Sequence, residues 1–339
     1  MKKLQLLAGA AMIAVAVATV PAYAAGVSAC LITKTNTNPF FVKMKEGAAA
    51  KAKEMGIGFK AFAGIKDGDA APQITAIENC VASGVKGILI TPATDAVGPA
   101  LIKARKAGVL VIALDTPLAD KNAQDMTFAT DNFEAGKLIG AWAHAQMGTK
   151  AATARIGMLD INKDNISVDV LRDTGFLTGF GIKVPNGKIL GSEKSKRVIG
   201  HESSGATEAG GVTSVEDLLA KNPKMNVVYT INEPAAAGAY QALKKAGKTK
   251  GVLIVSVDGG CPGVKNVAAG VIGATSQQYP LLMASKGIEA IAAYAKSGVK
   301  PSPTKGLTFF NTGVNLITDH PAPGVPSLTS KEGLAKCWG

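Results

Sequence analysis

Val27-Ser28-Ala29-Cys30-Leu31-Ile32-Thr33 is a short run of small, β-branched and aliphatic residues, and the segment after it sets the architecture. Beyond a polar turn, Phe40–Met55 places Phe40, Met44 and Ala48 at i, i+4 and i+8, which is one apolar face of a helix. Gly56 stands where a helix C-cap glycine belongs, and Ile57–Ala61 is the next strand-like run. Strand, helix, glycine stop and strand make a βαβ unit, in which the two strands lie parallel and the helix covers their sheet.

The same rhythm continues outward. Pro72–Ser83 reads as a helix and Gly87–Thr91 as a strand; Val97–Ala107 is a helix closed by Gly108, and Val109–Leu114 a strand. It then restarts with the helix Phe133–Met147, the strand Arg155–Leu159, the helix Val168–Phe180 and a strand over Lys188–Ser192. Val212–Lys221, Val227–Thr230, Pro234–Ala246 and Val252–Val257 come next as helix, strand, helix and strand. Two tandem α/β units of similar size, each a parallel sheet with helices on both faces, are the economical reading.

At the front of the chain, Met1-Lys2-Lys3 precedes an uncharged apolar run, Leu4–Val20, and Ala22-Tyr23-Ala24 is a small-x-small cleavage pattern. These features predict a secretory signal peptide over residues 1–24, cut before Ala25 and leaving 315 of the 339 residues. A membrane anchor would call for a longer run without the cleavage pattern. No further run is long enough to span a bilayer, so a soluble exported protein is expected, in a compartment without cytosolic ATP or NAD.

The formal charge of +12 invites a nucleic-acid hypothesis. The lysines are scattered between apolar positions, however, as at Lys43, Lys45, Lys51 and Lys53, and no arginine tract or basic–aromatic interleaving occurs. A solvated basic surface is expected, with no nucleic-acid partner. Cys30, Cys80, Cys261 and Cys337 are an even set in an exported chain and point to two disulfides, with three pairings open. No cysteines are close in sequence, and His144, His201 and His320 stand alone, so no metal is expected.

Ligands of open parallel sheets bind outside the carboxyl ends of the strands. Those ends carry Lys34 to Phe41, Thr91-Pro92, Asp115, Asn162 to Asn165, Asn232-Glu233, Asp258-Gly259-Gly260 and Gln277-Gln278, with Arg172 on the helix after Leu159. Amides, carboxylates and a guanidinium hold pairs of hydroxyls in fixed forks, and an aromatic face covers the C–H side of a sugar ring. A neutral polyhydroxylated ligand suits this mixture. No glycine-rich phosphate loop, no nucleophile with its base and hence no cofactor or enzymatic activity is expected. Each of these residues taken singly could equally be a turn or cap, Asn38-Pro39 above all. The functional reading rests on their shared position at strand ends.

Asn38-Pro39-Phe40-Phe41, Leu114-Asp115, Thr130-Asp131-Asn132, Arg172-x-x-Gly175-Phe176, Asn232-Glu233, Val257-Asp258-Gly259 and Gln278-x-Pro280 occur in an order that resembles the periplasmic binding proteins of the ribose-binding type. These are the receptors of sugar ABC importers, and the chain looks most like their fructose-binding members. The resemblance implies the type I periplasmic binding protein fold, two Rossmann-like domains joined by three hinge crossings, working as a monomer with a membrane permease. It implies one domain over residues 25–130 and 279–307 and a second over 131–278 and 308–339.

It further implies that Phe40 and Phe41 stack on the sugar, and that Asn38, Asp115, Arg172, Asn232, Asp258 and Gln278 bind its hydroxyls, with Lys34, Thr91, Thr116 and Asp131 as further candidates. Cys30–Cys80 and Cys261–Cys337 are the pairings such a fold brings within reach. The sequence departs from the ribose-binding pattern at Thr116, where that pattern has arginine, and at Lys34, where it has serine. Ser203-Ser204-Gly205-Ala206 carries no clear counterpart to the aromatic that covers the second sugar face. These differences favour a hexose such as fructose over ribose. The competing expectations are a sugar-responsive DNA regulator of the lactose-repressor type, which needs a helix-turn-helix where this chain has its leader, a sugar-modifying enzyme using Asp115 and Asp258, and a sensor for chemotaxis or two-component signalling.

Overall fold

A computed structural model describes residues 26–339; the leader expected over residues 1–24 lies outside them. The chain begins with β1 (Ser28–Thr33), α1 (Pro39–Glu54), β2 (Gly58–Ala63), α2 (Ala71–Ala82), β3 (Gly87–Ile90), α3 (Gly98–Lys106), β4 (Leu110–Leu114) and β5 (Met126–Ala129). It continues with α4 (Asn132–Met147), β6 (Ile156–Asp160), α5 (Ser167–Gly179), β7 (Val198–Ser203), α6 (Glu208–Lys221), β8 (Val227–Thr230), α7 (Glu233–Lys245), β9 (Leu253–Asp258), α8 (Cys261–Ala268) and β10 (Ala274–Gln277). Last come α9 (Pro280–Ser297), β11 (Phe310–Asn311), β12 (Asn315–Ile317) and α10 (Ser330–Leu334).

The strands form two six-stranded sheets, ordered β11-β5-β4-β3-β1-β2 and β12-β10-β9-β8-β6-β7. Every pairing is parallel except β12 on β10. The central strand β4, Leu-Val-Ile-Ala-Leu, is buried throughout because helices cover both faces of its sheet. Leu31, Leu89 and Ile112 face α1 and α9, whereas Ile32, Ile88 and Val111 face α2 and α3. The second sheet repeats the plan, with α4 and α5 on one face and α6 and α7 on the other. Both sheets reverse strand order beside their first strand, the switch point where such folds bind ligands.

The chain passes between the sheets three times, after β5, after β10 and between β11 and β12. The third passage lies after Asn311, later than the expected break at 307/308, because Phe310 and Asn311 pair with Phe128 and Ala129 of the first sheet. One other expectation needs correcting. Lys188–Ser192 is a turn segment and not a strand, since Pro185, Gly187 and Gly191, with Gly191 at φ 65°, break it; the strand is Val198–Ser203. That strand escaped notice because it is a sheet edge with a half-exposed Val-Ile-Gly-His-Glu-Ser sequence. The four-residue strand β5 was also unforeseen.

Helices α4 and α5 pack backbone to backbone. A Cβ at Gly136 or Gly140 would run into the carbonyl oxygens of Arg172 and Phe176, and one at Gly175 or Gly179 into those of Phe133 and Lys137. Both expected disulfides form: Cys30–Cys80 ties β1 to α2 with Cα atoms 6.2 Å apart, and Cys261–Cys337 ties the start of α8 to the tail with Cα atoms 5.0 Å apart.

Candidate functional site

Two helix starts show how the local sequence aims side chains into the gap between the sheets. Asn38 caps α1 by accepting from Phe40 N at 3.0 Å, with Pro39 opening the helix, so Phe40 and Phe41 lie in its first turn. Asn232 caps α7 by accepting from Ala235 N at 3.1 Å, while its amide nitrogen donates to Ala206 O at 3.1 Å. Asp115 and Asp258 stand at the ends of β4 and β9 with φ of 62° and 140°, backbone that favours glycine. Non-glycine residues kept there cost of order 1–3 kcal/mol each and mark a position held for its side chain.

Arg172 is the hub. Its Nε donates to Asn132 Oδ1 at 2.8 Å and its Nη1 to Ile231 O at 3.0 Å. Its Nη2 reaches Gln278 Oε1 at 3.1 Å and Asp115 Oδ1 at 3.4 Å. Gln278 in turn donates to Asp258 Oδ1 at 3.0 Å. Thr116 donates its hydroxyl to Asp115 Oδ2 at 3.0 Å and so orients that carboxylate. Burial is the main force on Asp258, opposed by the Arg172 guanidinium, and its carboxyl is pushed up to about 7. Neighbouring Glu233 is also raised, by burial and then by Asp258; it accepts from Gly259 N, Gly260 N and the Thr275 hydroxyl and pins the turn after β9.

The eight residues expected to touch sugar all line one inner pocket of ≈ 30 Å³, and Lys34 lines it too. Directly outside it, a cleft of ≈ 490 Å³ opens between the sheets, walled by Asn38, Phe41 and Asp67 on one side and Ala206, Glu233 and Asp258 on the other. Thr91 accepts from Lys34 N at 3.1 Å and lies outside the pocket, as a support for the strand end. Asp131 caps α4 by accepting from Glu134 N at 3.0 Å and also lies outside; its neighbour Asn132, one residue further on, points to Arg172.

Three residues were missed. Asp67 pairs with the buried Lys34, Nζ to Oδ1 at 3.3 Å. Asn132 gave a signal only as part of its tripeptide. Trp338 crosses from the tail to stand edge-on to Phe40, centroids 5.5 Å apart at 75°, and donates Nε1 to Gln278 O at 2.8 Å. The cleft therefore has a tail-borne aromatic wall that the Ser203–Ala206 stretch did not offer. His201 is not isolated as expected: it lies among Asp160, Asp173 and Glu193 in the body of the second α/β unit.

Comparison with known proteins agrees with this architecture. Residues 28–299 match the periplasmic binding protein domain family, and the chain belongs to it. It is 31% identical over 289 residues to the ribose import binding protein of Haemophilus influenzae, covering 85% of this chain and 91% of that one. The fold matches a carbohydrate transporter solute binding protein from Agrobacterium radiobacter in complex with D-arabinose, at TM-score 0.72 and 26% identity over 87% of this chain and 95% of that one. It equally matches an ABC transporter solute binding protein from Agrobacterium vitis with bound D-fucose, at TM-score 0.72 and 25% identity over 86% and 95%. The fold is that of the type I periplasmic binding proteins.

Proposed function

We propose that the protein is the periplasmic receptor of a sugar ABC importer, binding one free monosaccharide between its two walls, with fructose the first candidate, and handing it to a membrane permease. The observation that carries the reading is the convergence of Asn38, Asp115, Arg172, Asn232, Asp258 and Gln278 with Phe40 and Phe41 on one inner pocket. Carboxylate oxygens accept from sugar hydroxyls, and the guanidinium and amides donate to them. The residue set binds and orients; Asp115 and Asp258 serve as acceptors. The relatives named for ribose, arabinose and fucose complexes support a small sugar. Ala206, on the pocket wall, favours a hexose by its small size, whereas Thr116 lies outside the pocket and acts through Asp115.

In this reading one wall comprises residues 26–130 and 279–311, the other 131–278 and 314–339, and the protein acts as a monomer. No helix among the described residues is long and apolar enough to cross a membrane. The DNA-regulator reading draws no support from the family match or the relatives. A thermal-shift panel of monosaccharides and amino acids on the mature protein tests the proposal, since a ligand bound only by the folded form raises Tm by mass action. A rise with a monosaccharide, fructose foremost, is expected. A rise with amino acids alone, or with nothing, would refute it.

A further inference from the structure

Asp160 at the end of β6, Asp173 of α5 and His201 of β7 converge. Nδ1 of His201 lies 2.8 Å from Asp160 Oδ2 and 3.5 Å from Asp173 Oδ2, and one donor atom from each of the three falls within 4.8 Å of the others. On the far side of the ring, Nε2 lies 3.0 Å from Glu193 Oε1. Asp173 is 2% exposed, yet neither of its oxygens has a protein hydrogen-bond partner. Asp160 Oδ1 and Asp169 Oδ1 are unpartnered as well, and so is the hydroxyl of Tyr229, a fully buried residue beside Asp173.

An imidazolium would answer Asp160 and Glu193 at hydrogen-bond distance but reach Asp173 only at 3.5 Å, while Asp169 is held by Ile161 N on Oδ2 alone. The Arg172 guanidinium, on the same helix, is committed to Asn132, Ile231, Gln278 and Asp115. Buried carboxylates left this way are costly unless something positive stands among them. Nitrogen and carboxylate donors together suit zinc, whose tetrahedral ligands at 2.0–2.2 Å lie about 3.3 Å from one another, near the spacing already present. Glu193 then accepts the Nε2–H and leaves the Nδ1 lone pair facing the two aspartates, the outer-shell arrangement that orients metal-bound histidines.

We propose that Asp160, Asp173 and His201 Nδ1 form a divalent-metal site, best matched by zinc, that clips the edge strand β7 and the end of β6 to α5. His201, at 19% side-chain exposure, gives the ion a way in. None of the three lines the cleft or its inner pocket, although α5 also carries Arg172.

The test uses tag-free mature protein stripped with EDTA, titrated with zinc chloride by calorimetry and followed by thermal melting. One equivalent should bind at micromolar Kd or tighter and raise Tm. His201→Gln should abolish that equivalent, Asp173→Asn should weaken it at least tenfold, and a His144→Gln/His320→Gln double variant should retain it. Calcium should bind far more weakly, because it prefers oxygen donors alone. Wild-type protein that takes up no stoichiometric zinc overturns the proposal, and so does uptake unchanged in His201→Gln. Should that variant fail to fold, diethyl pyrocarbonate mapping of the wild type gives the answer: zinc must protect His201, and equal modification with and without zinc overturns the proposal.

Discussion

Arg172 donates to four oriented partners in a place where a guanidinium has almost no water, so it is a structural hub and, under the proposed function, a donor to the sugar. Hydrogen bonds to charged groups contribute roughly 1.5–3 kcal/mol, about one to two decades in affinity. Arg172→Ala and Asp115→Asn are each predicted to weaken sugar binding by about ten- to hundredfold while the protein still melts cooperatively; asparagine tolerates the positive φ at 115. Calorimetric affinities check this, and an unchanged Kd would remove that residue from the site.

Asp258 gives a pH prediction. Burial first, against the opposing pull of Arg172, raises its carboxyl to about 7 from an ordinary 3.8. The folded protein therefore holds a proton that the unfolded chain has released, so the contribution of this group to stability falls as pH climbs from about 4 to about 7 and then levels. The sugar-free protein should melt several degrees lower at pH 7.5 than at pH 5, since about 1 kcal/mol moves Tm by roughly 2–4 °C in a chain of this size class. A Tm that is flat or rises across that window would contradict it.

At this scale the sequence was readable where a polar residue directly succeeds an apolar strand, as at Asp115, Asn232 and Asp258. It was not readable where helix phase decides. Asp131 and Asn132 are adjacent and chemically alike, and only the cap geometry of α4 sends one outward and the other to Arg172.

Among elements, the tail is the informative case. Trp338 donates to Gln278 O at the second crossing and stands against Phe40 of α1, while the Cys261–Cys337 disulfide and the Cys261 N to Trp338 O bond at 2.8 Å hold it to α8. The tail thus links the start of α8, a crossing and the aromatic corner of the cleft. Cys337→Ser should loosen that corner: sugar affinity is expected to fall several-fold and the fluorescence of Trp338 to move to longer wavelength as it gains water. Unaltered emission and affinity in a protein confirmed to lack the disulfide would show the tail to be a bystander.

Sequence pattern located the long, two-side-buried elements well, because β1, β4 and the helices that cover them repeat apolar residues at the right period. The edge strand β7, half polar, and the two-residue β11 carry too little pattern to register. Trp338 and Phe40 are brought together only by the full tertiary fold, so no local signal could have joined them.

Over the whole molecule, the walls meet. Arg172 spans to Asp115, and Ser167 donates to Pro117 O at 2.9 Å. A ligand that needs groups from both walls must pass between them while they are apart and is held when they close, so it favours the closed form by the difference in its contacts. Asn132 and Gln278 stand at two of the three crossings and both bond Arg172, which ties the centre of the proposed site to those crossings. The chain order of two matching α/β units made this architecture legible; the contact between walls came only from the folded structure. Small-angle X-ray scattering on the mature protein, with and without a saturating monosaccharide whose binding has been confirmed by titration, tests the clamp most directly. A smaller radius of gyration in the loaded protein is predicted; an identical radius in the two samples would contradict the account.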